Sequence, residues 1–195
     1  MALGGSSCIP IGSPGAPGRP PMITNIFNEA GDTRVHRRFK LPDLQYRIRC
    51  DITYNMRLVL DTDVVIAALR SPRGASAALL RAIRRGRATM LLSTPLLLEY
   101  EAVCQREEHR LAAGLTRADV ESFLDGLAGL AEPVTLHFLW RPQLRDAGDE
   151  MVLEAAVNGQ AQAIVAFNHR HYGNAPPRFG IALLLPAEAY RRIEA

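Results

Sequence analysis

Short apolar runs alternate with longer segments of helical period from residue 57 to the end of the chain. The short runs predict strands, and the segments between them repeat apolar residues every three or four positions, which predicts amphipathic helices. The predicted strands cover residues 57–60, 88–92, 133–138, 163–166 and 181–185. Strands joined by helices indicate parallel βαβ units, because a parallel pair needs a helical crossover. The pattern therefore predicts an α/β fold: a three-layer α/β/α sandwich around a central parallel sheet of about five strands.

Capping signals define the ends of the predicted helices. Gly86 can end the helix over residues 75–85 as its C′ residue. Thr94-Pro95 supplies an N-cap and a first-turn proline for the next helix, and a capping box begins at Thr116 for a helix that reaches about Leu130. The remaining predicted helices cover residues 63–69, 149–158 and 186–194.

The first 55 residues differ in composition from the rest of the chain. Residues 1–21 are rich in Gly, Pro and Ser and have no sustained period, so we expect residues 1–55 to be a disordered or non-core leader. Residues 34–49 interleave basic and aromatic side chains, which favours a solvated tail and leaves nucleic-acid contact as a second interpretation. Met56 directly precedes the first strand and is an alternative start of translation. We expect one domain over residues 56–195.

Composition limits the compartment and the chemistry. The three cysteines, Cys8, Cys50 and Cys104, show no C-x-x-C pairing, which argues against a disulfide framework or a cysteine-rich zinc site and favours a reducing, cytoplasmic setting. No apolar run approaches the roughly 18 residues of a membrane helix, so no membrane partner is expected. The only lysine is Lys40, and residues 56–195 therefore contain none.

Oxygen-bearing side chains follow the predicted strands. In parallel sheets, ligands bind at the carboxyl ends of the strands, so these side chains are expected to share one cleft. Several carboxylates in one cleft repel each other, and a hard divalent cation such as Mg²⁺ or Mn²⁺ is the natural counter-charge where no lysine is available. Such a site suits hydrolysis of a nucleic-acid backbone. The candidate residues are Asp61, Asp63, Glu99, Asp146, Asp149 and Asn168.

Several of these residues also have ordinary structural interpretations. Asp146 is suited to a helix N-cap, Asp63 to a first-turn acid and Glu99 to a solvated helix position. His169 and His171 form an H-x-H pair, but no third ligand at suitable spacing accompanies them as a transition-metal site.

Substrate phosphates would be met by arginine in a body without lysine. Arg70, Arg73 and Arg145 lie close in sequence to the acidic strand ends and are candidates for nucleic-acid binding. Solvated surface positions are the alternative interpretation for all three.

Four segments together resemble the PIN-domain ribonucleases, and in particular the toxin component of bacterial toxin–antitoxin pairs. The segments are LVLDTDVVIAALRSP, STPLLLEYEAV, LRDAGDEMVLEAAVNGQAQAIVAFN and PRFGIALLLPAEAYRRI. The resemblance implies a Mg²⁺- or Mn²⁺-dependent endoribonuclease, with an RNA substrate, a cognate antitoxin protein as partner, and a homodimeric state.

The same resemblance implies that Asp61, Glu99 and Asp149 bind the metal and carry catalysis. The chain departs from the family pattern at Asn168, where a fourth acid is usual, and at His171, where a further aspartate is common. Asp63 stands where asparagine is usual and adds an acid two residues from Asp61. These departures bear on activity rather than on fold.

Two other functions compete. The D-x-D of LVLDTDVV resembles a haloacid-dehalogenase-like phosphatase, but that chemistry and a receiver domain both expect a downstream lysine, which is missing here. A PIN-like protein that has lost catalysis and binds a partner is the alternative outside enzymology, and Asn168 is the residue that favours it.

Overall fold

Five parallel strands form the central sheet in a computed structural model, which describes residues 55–195. They are β1 (Met56–Leu60), β2 (Ala88–Ser93), β3 (Glu132–Val134), β4 (Ala163–Val165) and β5 (Ala182–Leu184), and they pair in the order β3-β2-β1-β4-β5. All four pairings are parallel, with Leu58 of β1 facing Met90 on one side and Ala163 on the other. The predicted α/β sandwich is confirmed. The leader predicted over residues 1–55 lies outside the described residues except for Asn55.

Nine helices connect or flank the strands of the described chain. Before β3 these are α1 (Thr62–Arg70), α2 (Ala75–Arg84), α3 (Thr94–Cys104), α4 (Glu107–Ala112) and α5 (Arg117–Leu130). After β3 come α6 (Ala147–Asn158), the single turns α7 (His169–Tyr172) and α8 (Ala175–Arg178), and α9 (Pro186–Glu194). Helix α2 packs on α9, while α3 packs on α5 and α6. None of the helices described is long and apolar enough to cross a bilayer.

The centre of the sheet is the best-buried part of the fold. Leu58, Val59 and Leu60 of β1 have no exposed surface, as expected for a strand with neighbours on both edges and helices on both faces. Among the largest fully buried side chains are Tyr100 of α3 and Tyr172 of α7, and the Tyr100 hydroxyl donates a hydrogen bond to the carbonyl of Leu60. The carboxyl end of β1, from which the next residues extend, is therefore held firmly in place.

The strand order places a crevice between β1 and β4. The chain passes from β1 to β2 and β3 in one direction and then returns across the sheet to add β4 and β5 on the other side of β1. Ligands bind at such a reversal of strand order, outside the carboxyl ends of the strands.

Most predicted boundaries agree with the structure to within two residues, and several capping predictions are confirmed. Gly86 follows α2 with φ of 75°, and Thr116 and Asp119 form the capping box of α5. The prediction for Thr94 is shifted, because Ser93 occupies the N-cap position of α3. Helix α6 begins at Ala147, two residues earlier than predicted, since Asp146 caps it.

The third predicted strand is the largest error. The prediction covered residues 133–138, but β3 ends at Val134. The backbone N–H groups of His137 and Phe138 both donate to the side-chain oxygen of Asn158 on α6, at 2.9 and 3.0 Å. These backbone N–H groups therefore bond to a neighbouring helix rather than to a neighbouring strand, and the segment after Val134 leaves the sheet.

Candidate active site

A cleft of about 310 Å³ opens at the carboxyl ends of β1 and β4. All six oxygen-bearing candidates from the sequence line it: Asp61, Asp63, Glu99, Asp146, Asp149 and Asn168. Four separate segments supply them, namely the β1–α1 junction, α3, the start of α6 and the residues after β4. The fold thus brings together residues that are more than 100 positions apart in the chain.

The β1–α1 junction holds Asp61 and Asp63 in different ways. The backbone N–H of Asp61 donates to the carbonyl of Val165 at 2.8 Å, which ties the end of β1 to the end of β4. One carboxylate oxygen of Asp63 accepts the backbone N–H of Phe167 at 3.0 Å, and its other oxygen is buried without a hydrogen-bond partner. Asp63 is therefore more than a first-turn acid, because it links α1 to the segment after β4.

Burial raises the pKa values of three aspartates in the cleft, and repulsion from neighbouring carboxylates adds to the effect for Asp61 and Asp149. Asp61, only 8% exposed, has its pKa raised to about 7, chiefly by burial and then by the charges of Asp63 and Asp149. Burial likewise raises the pKa values of Asp63 and Asp149. These shifts indicate that the negative charge in the cleft is not fully compensated by the protein.

The N-terminus of α6 places one more acid, Asp146, near Glu99 of α3. Asp146 caps the helix by accepting the Gly148 N–H at 2.7 Å, so its predicted capping role is confirmed. Gly148 lies between the acids: a Cβ atom there would stand 3.2 Å from Oδ1 of Asp146 and 3.9 Å from Oε1 of Glu99. The missing side chain at Gly148 therefore keeps this part of the cleft open.

His171 connects Asn168 to Asp149. The side-chain nitrogen of Asn168 lies 2.6 Å from Nε2 of His171, and Nδ1 of the same ring lies 3.2 Å from Oδ2 of Asp149. The second contact is close without the alignment of a hydrogen bond, and Oδ2 of Asp149 is buried without a hydrogen-bond partner. His169 bonds the carbonyl of Ala166 instead, at 3.1 Å, so the two histidines do not act as a pair.

The donor set of the cleft fits a hard divalent cation. Its donors are carboxylate and amide oxygens, which Mg²⁺ and Mn²⁺ prefer, and Asp63 and Asp149 each offer a buried oxygen that no protein group satisfies. Within residues 55–195, however, no three His, Cys, Asp or Glu side chains are arranged as a ready ligand group. Side chains around the cleft must therefore rotate to complete a coordination shell.

The arginine candidates are divided by the structure. Arg145 lines a larger cavity next to the acidic cleft, whereas Arg70 and Arg73 line neither of these two spaces. Arg70 is the last residue of α1, roughly 12 Å along the helix axis from its start.

Two residues of the site were missed by sequence reasoning. Arg106, at the start of α4, lines the acidic cleft itself. The Tyr172 hydroxyl is buried near Asp61 without forming a well-aligned hydrogen bond, and its interaction lowers the pKa of Asp61 against the larger effect of burial. The acids Glu107 and Glu108, typical of a first helical turn, could have marked a new helix after Arg106; no comparable sequence signal marks Tyr172.

Comparison with protein families gives a match to the PIN domain over residues 57–170. The chain belongs to the PIN domain family. The matched segment contains all six oxygen-bearing residues of the cleft and stops one residue before His171. Comparison with curated proteins finds no match. PIN domains are in general nucleases, which hydrolyse phosphodiester bonds, and this identifies the acidic cleft as the candidate active site.

Proposed function

We propose that this PIN domain is a metal-dependent endoribonuclease that hydrolyses RNA phosphodiester bonds, and that it is the toxin of a toxin–antitoxin pair. The observation that carries the proposal is the convergence of five carboxylates on one cleft, with two buried oxygens left without partners. An uncompensated group of acids at the carboxyl edge of a parallel sheet is suited to a divalent cation and a phosphodiester substrate.

Asp61, Glu99 and Asp149 are the proposed ligands of Mg²⁺ or Mn²⁺, and Asn168 adds a neutral amide oxygen. When bound, the ion stabilises the negative charge that develops on the phosphate during hydrolysis. Asp63 holds the segment after β4 through its bond to Phe167, and Asp146 holds the first turn of α6 through its bond to Gly148. These two acids therefore support the geometry of the ligands.

Arg106 and His171 complete the proposed site. Arg106 is the cation that lines the acidic cleft, and its guanidinium suits a phosphate oxygen of the substrate. His171 orients Asp149 from the other side through its Nδ1 atom, 3.2 Å away.

The proposed partners are an antitoxin protein and a second copy of the chain, in a cytoplasmic setting. Phe138, Leu139 and Trp140 support a protein partner, because all three are large, consecutive and apolar and are exposed by 64%, 67% and 46%. A short reading frame next to the gene, whose product co-purifies with this chain and blocks cleavage, is the expected antitoxin. Light scattering after size-exclusion chromatography measures the oligomeric state.

The central experiment is cleavage of single-stranded RNA at increasing Mn²⁺ or Mg²⁺ concentration. We expect activity in the wild type, loss of activity with excess EDTA, and a reduction of at least about a hundredfold in Asp149→Asn. Asp125→Asn is the matched control, because Asp125 is exposed on α5 and does not line the cleft. It should cleave like the wild type.

The same experiment separates the rival functions. A wild type without cleavage, or an Asp149→Asn variant with full cleavage, would favour a partner-binding PIN domain that has lost catalysis, as Asn168 suggests. The haloacid-dehalogenase-like alternative requires Asp61 to be phosphorylated during turnover, and beryllium fluoride bound to the free Asp61 carboxylate would mimic that intermediate. Membership of the PIN family favours the nuclease over that alternative.

A further inference from the structure

A second cavity of about 840 Å³ adjoins the acidic cleft. The two spaces share Asp146, Asp149 and His171 as a common wall. The rest of the larger cavity's lining differs in charge, because it includes Arg145, Arg170 and Arg178. A bound chain can therefore reach from one space into the other.

The three arginines are available to an external anion. Arg145 and Arg170 are exposed, and their side chains make no hydrogen bond or ion pair with another residue of the described chain. Arg178 gives one guanidinium N–H to the Gln143 side chain at 3.1 Å. Other arginines of the domain are paired with acids, such as Arg141 with Glu154 and Arg85 with Glu194. The acids of the shared wall do not pair with these three arginines either.

Hydrogen bonds to Gln143 and Leu144 hold one wall of the cavity in place. Glu150, 4% exposed, accepts the backbone N–H groups of Gln143 and Leu144 at 2.5 and 2.8 Å. Arg178 fixes the same loop from the α8 side through Gln143. Tyr172, 1% exposed, lines the cavity and has a buried hydroxyl without a hydrogen-bond partner. The Tyr172 hydroxyl lies near Asp61, so this residue links the larger cavity to the acidic cleft.

We propose that this cavity binds the phosphate and ribose of the RNA nucleotide that flanks the cleaved bond, and this inference rests on the proposed nuclease function. Guanidinium groups match phosphate oxygens in pairs. The volume is sufficient for a ligand of nucleotide size. With one phosphate on Arg145 and Arg170, the same strand continues past the shared residues Asp146, Asp149 and His171 into the acidic cleft.

Binding and cleavage test the proposal separately. Anisotropy of a fluorescent single-stranded RNA octamer, measured in EDTA so that no cleavage occurs, gives the Kd of the wild type and of the double variant R145A/R170A. We expect the Kd to rise at least about tenfold in the double variant. Because each phosphate contact in a single strand contributes about 0.7 to the slope of log Kd against log salt, the slope should fall by about 1.4.

The double variant R87A/R192A is the matched control. Arg87 and Arg192 are also exposed, but they line a small cavity at the opposite edge of the sheet. This control should bind RNA with the affinity and salt slope of the wild type, and thermal unfolding of both doubles should show that they are folded. Equal loss of affinity in both doubles, or no loss in R145A/R170A, overturns the proposal.

Cleavage kinetics distinguish this proposal from the nuclease proposal. RNA binding that depends on Arg145 and Arg170, without cleavage in Mn²⁺, supports the cavity and refutes hydrolysis. Cleavage with an unchanged KM in R145A/R170A supports hydrolysis and refutes the cavity. Binding of a decaglutamate peptide by a protein that does not bind the octamer would assign the cavity to an acidic protein segment and also overturn the proposal.

Discussion

The side-chain amide of Asn168 lies 2.6 Å from Nε2 of His171, and through that ring it acts on Asp149. With the amide as donor, Nε2 is the acceptor and the ring proton lies on Nδ1, which faces Asp149 3.2 Å away. A ring that accepts at Nε2 is the neutral imidazole, so neither Asn168 nor His171 carries a charge in this arrangement. They occupy the two positions where the family resemblance leads one to expect acids.

Replacing Asn168 with Asp should increase the affinity for divalent cations. The new carboxylate adds a negative charge next to Asp149, so we expect the Mn²⁺ dissociation constant to fall at least about tenfold. The metal-free variant should be less stable than the wild type, because the added charge repels the other acids. Calorimetric Mn²⁺ titration and thermal unfolding in EDTA measure the two effects.

Gln160→Glu is the control for this charge change. Gln160 is exposed just after the end of α6, roughly 16 Å along the helix from Asp149. The control should leave the Mn²⁺ affinity as it is. Weaker Mn²⁺ binding in Asn168→Asp than in the wild type would show that residue 168 does not face the ion.

The sheet and the acidic cleft could be predicted from the sequence because each depends on local patterns. The alternation of apolar strands and helices predicts the layers of the sandwich. The acids that follow the strands mark the edge of the sheet where ligands are expected. The end of β3 could not be predicted, since it depends on Asn158 capturing the N–H groups of residues 137 and 138 from another element. Arg106 and Tyr172 reach the site only through tertiary packing, which no sequence spacing encodes.

The stability of the metal-free protein should fall as pH rises from about 4 to 7. The folded-state pKa of Asp61, about 7, lies above the ordinary value of 3.8, so in this range the folded state holds a proton that the unfolded state has lost. The effect of this one group is at most about 4 kcal/mol in the free energy of unfolding. Thermal unfolding in EDTA at pH 5 and pH 8 measures it.

Two further measurements check the assignment of this pH effect. Asp61→Asn should lose much of the pH dependence in EDTA and should exceed the wild type in stability at pH 8. Mn²⁺ should raise the melting temperature of the wild type more at pH 8 than at pH 5, since protons compete with the ion for the carboxylates. A wild type that becomes more stable between pH 5 and pH 8 in EDTA would contradict the raised pKa.

Gly148→Ala should reduce cleavage with little change in stability. The new Cβ would stand 3.2 Å from Oδ1 of Asp146, so the capping carboxylate must shift by a few tenths of an ångström. Removing a glycine from a helix gains up to about 1 kcal/mol, and a weakened cap loses about as much. We expect RNA cleavage to fall about tenfold, because the space between Asp146 and Glu99 is narrowed.

Gly129→Ala on α5 provides the comparison. Apart from the adjacent residues and the backbone of the helix itself, no atom lies within 4 Å of a Cβ at that position. The substitution should therefore stabilise the helix by about 0.5–1 kcal/mol and leave cleavage unchanged. Full activity in Gly148→Ala would mean that the cleft has more room there than the structure shows.

The Cys104 thiol should be unreactive in the folded protein. Burial raises its pKa to about 12, so almost no thiolate is present at pH 8. In the full chain with Cys8 and Cys50 replaced by serine, Ellman's reagent should react over hours without denaturant and within seconds in guanidinium chloride. Rapid reaction of the native protein would show that the C-terminal end of α3 opens readily.

One helix carries both a carboxylate of the acidic cleft and the residues that bind the neighbouring loop. Asp149 faces the cleft, while Glu150, Glu154 and Asn158 follow each other at four-residue spacing and bind the loop that includes Arg145. A chimera that imports this loop from another PIN domain must therefore import the matching positions of α6 as well. Without these positions, the grafted loop loses the hydrogen bonds that position it relative to the cleft. A substrate preference transferred with the loop would then be lost.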